Sequence, residues 1–369
     1  AKKTSSGRDV AIWCGMAFEE WGPQSLEKGV GGSEEAVIRL AREWARKGWR
    51  VTVFNNCGPE RITDTGPAGG VTRIECDPKD YEPPVYRPFW EFNVDDANDV
   101  FISWRSPGVF DHKVNAKVKL LDLHDVPNIM DYQTKRLREI TKIMLKTQFH
   151  RNLLPNVGPD KVAVVGHGVD AREFERDVAR NRHRVCYTSS YDRGLEHLLD
   201  MWPAVLKEVP DAELHIAYGW NLFDKICGGN RERMDWKKTM VEKMNQPGVI
   251  EHGRLSHEDV ADLMSSSGVF AYPAHFEEIF CIAAAKAQVA GGVPIVAVSA
   301  NCLRETVKKG ILVTGDIKKK ETQERYAEEL VKILKDEKLQ SEVGTLAAEV
   351  GRKEFDWGHV ADEWIKLFV

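Results

Sequence analysis

A glycine-rich segment near the amino end has the composition of an anion-binding loop. Gly31 and Gly32 stand directly before a predicted helix that begins at Ser33. Glycine lacks a Cβ, so a ligand can approach the backbone closely, and the unpaired N–H groups of a helix start attract anions. Glu34 and Glu35 suit a helix start but repel phosphate, so we expect them to point away from the ligand. The segment predicts a phosphate site; the alternative is a plain turn with Ser33 as N-cap.

Arg193 is the cation best placed to complete such a site. A helix terminus alone contributes about 0.3–1 kcal/mol, or about 2 kcal/mol when partly buried, which is too little to hold a diphosphate. Arg193 stands between a predicted strand, residues 184–188, and the helix that follows it. A planar guanidinium at this place could bind phosphate oxygens. The alternative is a surface arginine that pairs with Asp192.

Two further segments present titratable side chains where predicted strands end. Between Tyr272 and Gly292, carboxylates that include Glu278 follow a strand and precede an alanine-rich helix. In the segment 121–125, a strand end presents His124. A carboxylate at a helix start is often only a partner of the helix dipole, and a lone histidine is more often structural than catalytic. Both alternatives stay open on these residues alone.

Sequence motifs of several other chemistries are missing. The sequence contains no His-Glu-x-x-His, no cluster of cysteines and histidines, no Gly-x-Ser-x-Gly and no Walker loop. The acidic run 95–99 could chelate a divalent ion, but it precedes a strand and is better explained as a solvated turn. We therefore predict no metal site. The first glycine loop also fails the Gly-x-Gly-x-x-Gly spacing, which argues against a nicotinamide dehydrogenase.

Short apolar runs alternate with helical patterns along nearly the whole chain. The run at 9–14 is followed by a helix with Ala36, Leu40 and Trp44 on one face, and then by a run at 50–54. Strands separated by helices pair in parallel through right-handed crossovers, so the pattern predicts a doubly wound α/β sheet. Further strands of this series are predicted at 100–104, 117–123, 142–146 and 161–165.

The series of strands starts again after a charged segment without strand pattern. Residues 171–182 are predicted to link a first domain, 1–170, to a second domain, 183–352, and a last helix within 353–369 to pack back on the first. Two Rossmann-like domains predict a ligand cleft between them, at the carboxyl ends of both sheets. In the second domain, strands are predicted at 184–188, 213–218, 249–252, 269–272, 294–298 and 311–313, and helices at 194–207, 257–265 and 321–334.

Composition and charge exclude several classes of protein. Of the 369 residues, 42% are hydrophobic and 30% charged, which excludes disordered and fibrous proteins. With 52 basic against 57 acidic residues, the net charge of −5 excludes a generally polybasic protein. No apolar stretch approaches the ~20 residues of a membrane-spanning helix. The 7 cysteines form no Cys-x-x-Cys pair and several stand in apolar strands, so we expect a reduced, cytoplasmic protein.

In order and spacing, these segments resemble the retaining glycosyltransferases of family 4, which have the GT-B architecture of two facing Rossmann-like domains. The resemblance covers almost the whole chain, and it rests on the order of the motifs rather than on any single one. The motifs are Gly31-Gly32-Ser33-Glu34, His124, Gly168-Val169-Asp170, the run from Ser189 to Leu195, His252-Gly253-Arg254-Leu255, the block 272–292, Glu305 before Lys309-Gly310, and Trp357 with Trp364.

The resemblance implies roles for particular residues. As catalytic residues, Glu278 would lie beside the donor sugar hydroxyls, His124 near the primary hydroxyl of the sugar, and Arg193 on the diphosphate. Backbone N–H groups at the helix start that follows Glu278 would face the diphosphate, and the segment after His252 would border the base. The other implied donor-binding residues are Gly31, Gly32, Gly253, Arg254, Leu255, Ile279, Phe280, Cys281, Ile282 and Lys286.

Two positions depart from the family pattern. The family has a glutamate, seven residues, and then a second glutamate that usually binds the nucleotide ribose. Here the first matches Glu278 but the second is Lys286, which can only donate hydrogen bonds and would contact a phosphate or hydroxyl instead. The family also has an arginine a few positions before Arg193, whereas 186–192 contains neither arginine nor lysine. Arg193 would therefore hold the diphosphate largely alone.

The resemblance implies transfer of a hexosyl group from a UDP- or GDP-sugar, such as UDP-glucose, with retained configuration and without metal or resident cofactor. The resemblance does not decide whether the acceptor is a glycan, a lipid-linked sugar, a protein or, less readily, a modified nucleic-acid base. It also leaves open whether the protein associates peripherally with a membrane. The alternatives are a catalytically impaired protein that binds nucleotide sugars, and an epimerase or phosphorylase of the same architecture. Residues expected to contact the acceptor lie at 18–28 and 77–93, among them Tyr81, Tyr86, Phe89 and Trp90, with Arg87 and Arg105 for a polyanion.

Overall fold

The computed structural model describes residues 7–65 and 75–369, which form two compact units with a sheet each. The first unit comprises the chain up to Gly168 together with Phe355–Val369, and the second comprises Val169–Glu354. The segment 171–182, predicted as a linker, lies in the second unit. It holds a 3-10 turn at Ala171–Phe174 and the start of that unit's first strand.

The first unit is built on a parallel sheet. The strands are β1 (Asp9–Trp13), β2 (Arg50–Asn55), β3 (Ile62–Thr63), β4 (Val85–Pro88), β5 (Asn98–Trp104), β6 (Ala116–Asp122), β7 (Lys142–Leu145) and β8 (Val162–Val164). They lie in the order β3-β4-β2-β1-β5-β6-β7-β8, and only β3 and β4 among the described pairs are antiparallel. The helices between them are α1 (Ser25–Lys28), α2 (Gly32–Arg46), α3 (Thr134–Glu139) and α4 (Gln148–Asn152).

The second unit is also built on a parallel sheet, and its central strand pair positions the site described below. The strands are β9 (Asn181–Tyr187), β10 (Glu213–Ile216), β11 (Val249–Glu251), β12 (Ser267–Tyr272), β13 (Val293–Val298) and β14 (Ile311–Thr314), in the order β11-β10-β9-β12-β13-β14. Because β9 and β12 are parallel neighbours, the segments that follow them meet at the same edge. The helices are α5 (Leu195–Glu208), α6 (Asn221–Cys227), α7 (Arg231–Met244), α8 (His257–Ser266), α9 (Ile282–Ala290), α10 (Leu303–Thr306), α11 (Lys320–Lys335) and α12 (Glu337–Glu354).

The last helix, α13 (Trp357–Ile365), belongs to the first unit and packs against α2. Trp44 of α2 meets Trp364 with ring centroids 5.5 Å apart, and Phe368 with centroids 5.2 Å apart. Trp44 and Trp364 are almost fully buried. Aromatic residues bury large apolar areas and favour such edge-to-face contacts, so this segment completes the core on one side of the sheet.

Small residues let α9 pack closely against α12. A Cβ at Gly344 would stand 2.5 Å from the carbonyl oxygen of Gly291, and one at Gly351 would stand 3.2 Å from the Cβ of Gln288. Four of the seven buried residues of α9 are alanines: Ala284, Ala285, Ala287 and Ala290. The alanine-rich composition of this segment therefore reflects the close approach of a second helix.

The predicted strands and most predicted helices are present within a few residues of their expected bounds. The prediction omits the strands β3 and β4, the short helices α1, α3, α4, α6 and α10, and the longer helices α7 and α12. In α7 only Met240 and Met244 are buried, and α12 buries Gln340, Gly344, Ala347 and Gly351, so neither helix shows a stripe of large apolar residues. Within the described ranges, we find no helix with the length and apolarity needed to span a membrane.

Candidate functional site

Glu278 is the centre of a site at the carboxyl edge of the second sheet. It lies in the loop between β12 and α9, and 6% of the residue is exposed. Its Oε2 accepts hydrogen bonds from the Tyr272 hydroxyl at 2.7 Å and from Arg193 Nη1 at 3.4 Å. No described residue hydrogen-bonds to Oε1. Burial raises the pKa of this carboxyl, although Arg193 and Tyr272 oppose the rise. Oε1 is thus an acceptor suited to a ligand hydroxyl.

The loops that carry Arg193 and Glu278 meet because a glycine stands between them. Gly194 follows the 3-10 turn Tyr191–Arg193 and has a φ of +127°. A Cβ on Gly194 would lie 2.2 Å from the carbonyl oxygen of Pro273, the residue that follows β12. Both the backbone conformation and the close contact therefore require glycine. This contact brings the Arg193 guanidinium to the Glu278 carboxylate.

Arg193 remains charged and is engaged by Glu278 rather than by its neighbour in sequence. Burial lowers the pKa of Arg193, but the Glu278 carboxylate and nearby tyrosines raise it above its usual value. Its guanidinium also lies 4.2 Å from the ring centroid of Phe276. Asp192 accepts instead from Ser190 Oγ at 2.7 Å and from Arg233 Nη2 at 2.6 Å. The alternative of a surface pair between Arg193 and Asp192 is therefore wrong.

The predicted donor-binding residues continue from the Glu278 loop into α9. Cys281 is the N-cap of this helix, and Ile282 is its first residue. Ile279 and Cys281 are buried, whereas Phe280 is half-buried. Lys286 follows in the second turn, and 8% of it is exposed. Lys286, predicted from the resemblance to stand at the position of a second glutamate, is thus buried on the same helix that begins beside Glu278.

The segment Gly253–Leu255 follows β11 and lies at the same edge of the sheet. The Gly253 N–H donates to Glu251 Oε1 at 3.0 Å, and its carbonyl accepts from the Tyr218 N–H at 2.9 Å. A Cβ at Gly219 would stand 2.8 Å from the Arg254 nitrogen, so the loops after β10 and β11 are in close contact. The sequence prediction of these residues as neighbours of the donor base stays a prediction.

In the first unit, the start of α2 is covered by a carboxylate of its own helix. Gly31 is the N-cap and Gly32 the first helical residue. Glu34 folds back over this start, so that a Cβ on Gly31 would stand 2.4 Å from its Oε2. The expectation that Glu34 points away is wrong, because the N–H groups of a helix start attract the nearest negative side chain. Glu35 instead lies 3.7 Å from Arg39.

Arg105 is the cation beside this helix start. It follows β5 with a φ of +65°, which is uncommon for a residue other than glycine. Its guanidinium lies 4.5 Å from the ring centroid of Trp104, donates to Ser33 Oγ at 3.3 Å and to Asp125 Oδ1 at 3.2 Å. Glu34 lies 3.8 Å away. Sequence analysis predicts Arg105 only as a contact for a polyanionic acceptor, whereas in the structure it lies beside the predicted anion site.

His124 is held by a buried ion pair of the first unit. Asp122 ends β6 and Lys146 follows β7, and Lys146 Nζ contacts Asp122 Oδ1. His124 Nε2 lies 2.8 Å from Asp122 Oδ2, and only 1% of the histidine side chain is exposed. Its Nδ1 has no hydrogen-bond partner among the described residues. Burial and the Lys146 charge lower the pKa of His124 to about 4 against the pull of Asp122, so the ring is neutral at pH 7.

The aromatic segment predicted to meet the acceptor is partly structural. Tyr86 lies in β4 and is fully buried, so it cannot stack against a ligand. Arg87 donates to Glu91 at 2.8 Å. Trp90 is 59% exposed and keeps a free aromatic surface. The expectation for Tyr86 is therefore wrong because its side chain fills the core beside Trp21, whose ring centroid lies 6.4 Å away.

The structure divides the predicted residues between its two units. Arg193, Glu278 and the start of α9 come together in the second unit, whereas Gly31, Gly32 and His124 belong to the first. Sequence analysis missed Tyr272, although its place at a strand end before the carboxylate loop is the signal that could have identified it. It also missed Asp122 and Lys146, because two charged residues on separate strands give no local pattern.

The family comparison gives a match that lies within the second unit. Residues 177–350, just under half of the chain, match the family model for Glycosyl transferases group 1. No curated protein sequence matches the chain significantly.

Solved structures resemble the chain over nearly its whole length. Sucrose-phosphate synthase from Thermosynechococcus elongatus is similar with a TM-score of 0.69 at 17% identity, and the match covers 98% of each chain. HepE of Anabaena, solved with UDP and glucose, is similar with a TM-score of 0.67 at 14% identity, over 97% of this chain and 98% of that one. A glycosyltransferase from Rickettsia africae has a TM-score of 0.65 at 13% identity, over 98% and 97%.

These matches confirm the predicted fold class of two parallel-sheet α/β domains. At such low identity the structural likeness shows the fold, and the family match is confined to the second unit. The chain has the fold of the GT-B glycosyltransferases, and its residues 177–350 match the group 1 glycosyl transferases.

Proposed function

We propose that the protein is a retaining glycosyltransferase, akin to family 4, which moves a hexosyl group from a nucleotide diphosphate sugar to a hydroxyl acceptor. The second unit would bind the donor. The match of this unit to the group 1 glycosyl transferases and the GT-B fold support a glycosyltransferase. HepE of Anabaena has been solved with UDP-glucose, a donor of the class we propose here.

The observation that supports the proposal most directly is the arrangement around Glu278. One carboxylate oxygen is held by Tyr272 and Arg193, and the other has no partner among the described residues. A fixed, buried acceptor suits a hydroxyl of the donor sugar. The adjacent Arg193 suits the diphosphate, because a guanidinium can form charge-assisted hydrogen bonds to phosphate oxygens. The two groups lie where the loops after two parallel strands meet, the usual ligand position in such sheets.

The proposed reaction breaks the bond between the anomeric carbon and the diphosphate oxygen and forms a bond from that carbon to the acceptor oxygen on the same face. The acceptor's proton goes to the departing diphosphate oxygen, so the products are a glycoside and a nucleoside diphosphate. Arg193 and the start of α9 would stabilise the charge that develops on the leaving diphosphate, in place of a metal ion. Glu278 would orient the sugar through its hydroxyls.

The proposal also covers the class of acceptor and the cellular compartment in which the protein works. Trp90 and the partly exposed side chains of 77–93 support contacts to an apolar or ring-shaped acceptor group, and a glycan, lipid-linked sugar or protein fits this requirement. We propose a reducing, cytoplasmic setting, because the described cysteines are all free and most are buried.

A panel of nucleotide sugars tests the proposed function. Thermal unfolding and donor hydrolysis would be measured with UDP-glucose, UDP-N-acetylglucosamine and GDP-mannose, each with Mg²⁺ and with EDTA. We expect one donor to raise the unfolding temperature and to release its nucleoside diphosphate slowly, equally in both conditions. NMR of the transfer product should show the donor's anomeric configuration. If none of these donors binds or is cleaved, the proposal fails.

Substitutions test the site itself. Glu278→Gln and Arg193→Met should each reduce transfer by at least about 10²-fold, the usual loss for one preorganised charge-stabilising group. Glu277→Gln is the matched control for the carboxylate, because the neighbouring Glu277 is exposed. Arg231→Met is the control for the arginine, because the Arg231 side chain is 97% exposed. Near-normal turnover by either site variant would remove that residue from the proposed site.

A second candidate function is a protein that binds a nucleotide sugar without transferring it. Lys286 favours this candidate, because it stands where the family's ribose-binding glutamate would accept hydrogen bonds. Stabilisation by a donor without hydrolysis or transfer to any acceptor would support it. Isomerised donor, or sugar phosphate released with added phosphate, would indicate an epimerase or a phosphorylase.

A further inference from the structure

The His124 side chain has one nitrogen with a partner and one without. Nε2 faces the Asp122 carboxylate at 2.8 Å, whereas Nδ1 is buried and has no hydrogen-bond partner in the described part of the chain. A buried polar atom left without a partner lowers the stability of the folded protein. Native proteins rarely retain such an atom without a reason. His124 Nδ1 therefore calls for an explanation beyond packing.

The geometry decides which ring nitrogen carries the proton. A carboxylate can only accept hydrogen bonds, so the nitrogen that faces Asp122 must be the donor, and Nε2 bears the hydrogen. In a neutral imidazole the other nitrogen is then an acceptor. Nδ1 consequently presents a lone pair, so a hydrogen-bond partner of Nδ1 must be a donor.

Lys146 keeps this arrangement from turning into an imidazolium–carboxylate pair. Its ammonium contacts Asp122 Oδ1, while His124 uses Oδ2 of the same carboxylate. The three side chains are each at most 5% exposed, so water does not screen them. One buried negative charge is thus matched by one buried positive charge, and a second positive charge on His124 would be unbalanced.

The other groups that face His124 do not change this balance. Trp104 packs against the ring at 5.6 Å between centroids, and His167 at 4.8 Å. Burial lowers the pKa of His167 well below its usual value and that of His150 to about 3, so both are neutral at pH 7. The Arg105 charge also disfavours a charged His124. The titratable or charged groups around the ring are Asp122 of β6, Lys146 after β7, Arg105 after β5, His150 of α4 and His167 after β8.

We propose that Asp122 and Lys146 are positioning residues that lock His124 in the neutral Nε2–H tautomer, so that its Nδ1 is the acceptor for a hydroxyl of the ligand. The part that concerns the ligand rests on the proposed function. The tautomer and its cause do not, since they follow from the three buried side chains alone.

The tautomer is tested without any ligand. Long-range ¹⁵N–¹H spectra of histidine-labelled protein distinguish N–H from bare ring nitrogens, and the His124 signals are those absent from the His124→Gln variant. We expect Nε2–H and a bare Nδ1 throughout pH 5.5–8. An Nδ1–H tautomer, or a doubly protonated ring at pH 7, would overturn the proposal.

Substitution of Lys146 tests the cause. In Lys146→Met the Asp122 carboxylate loses its ammonium partner and favours a protonated His124, so the His124 titration midpoint should rise by roughly one pH unit or more. Lys146→Arg keeps the charge and should leave the midpoint unchanged. Lys117→Met is the matched control, because Lys117 also pairs with a buried aspartate, Asp99, at 2.7 Å. Lys117 lies near the start of β6, the strand that ends at Asp122. A midpoint that does not move in Lys146→Met refutes the role of the ion pair.

The ligand contact is tested separately, on the active protein. If Nδ1 accepts from a ligand hydroxyl, Lys146→Met should raise KM at pH 5, where a large share of its His124 is protonated, and approach the KM of the parent protein at pH 8. Lys117→Met should follow the parent at both values. A Lys146→Met variant whose KM does not change with pH, although its His124 titration is shifted, would refute the contact between Nδ1 and the ligand. It would not affect the conclusion about the tautomer.

Discussion

The contact between Arg193 and Glu278 should contribute to the stability of the second unit in a pH-dependent way. Removal of one partner of a buried ion pair commonly costs about 3–5 kcal/mol. The Glu278 side chain is 8% exposed but that of Arg193 is 35% exposed, at a distance of 3.4 Å, so solvent screens the pair in part. We therefore expect Arg193→Met to cost about 2 kcal/mol at pH 7.5. For a unit of this size that is a fall of about 4–8 °C in the unfolding temperature.

The dependence on pH follows from the direction of the Glu278 shift. Burial raises the pKa of Glu278 in the folded protein, so its contribution to stability is full when the group is protonated and is lost as the pH rises through the raised pKa. Without Arg193 that pKa rises further. The cost of Arg193→Met should thus be largest at neutral pH and should nearly vanish at pH 4, where the carboxyl is protonated in both proteins.

A double-mutant cycle followed by calorimetry separates this pair from its surroundings. Arg193→Met combined with Glu278→Gln should recover most of the loss at pH 7.5, which corresponds to a coupling of about 2 kcal/mol. Arg233→Met is the control, because Arg233 pairs with Asp192 at 2.6 Å and should show no coupling to Glu278→Gln. An equal loss at pH 4 and pH 7.5, or no recovery in the double variant, would refute the reasoning.

Three further substitutions test the site from other directions. Gly194→Ala should destabilise the protein by more than about 2 kcal/mol in thermal unfolding, because a φ of +127° strains any residue with a side chain. Gly229→Ala is the control, since a Cβ there meets nothing within 4 Å, and equal effects of the two substitutions would contradict the contact at Gly194. Lys286→Glu should tighten UDP binding about tenfold in calorimetry by restoring an acceptor for the ribose hydroxyls, and unchanged or weaker binding would refute that role. Tyr272→Phe should reduce transfer about fivefold, the loss expected for one hydrogen bond to Glu278, and full activity would show that this bond is dispensable.

The alternation of strands and helices predicts the second sheet and all strands of the first except β3 and β4. Buried parallel strands such as Val293–Val298 are continuous apolar runs, which are visible in any window of the sequence. The prediction omits α12 because three of its four buried positions are Gly344, Ala347 and Gly351. The two glycines allow contact with residues more than 50 positions earlier in the chain. Small residues at a helix contact look the same in sequence as small residues on a surface.

The site was predictable where it depends on strand ends and unpredictable where it depends on pairing between strands. Arg193 and Glu278 both follow strands of one sheet, and the sequence indicated both. The position of His124 depends on the contact between Asp122 and Lys146, which come from neighbouring strands. The register of these strands, in which Asp122 lies opposite Met144, determines that contact. The placement of Glu34 over Gly31 depends on a side-chain rotamer, which composition does not determine.

The return of α13 to the first unit has a consequence for synthesis on the ribosome. Residues up to Gly168 emerge well before Trp357, Trp364 and Phe368, which all belong to the core of the first unit. The second unit, Val169–Glu354, is continuous in sequence and emerges whole before them. The unit translated first should therefore be the last to complete its folding, and until then the surface of α2 around Trp44 is open to chaperones and to aggregation.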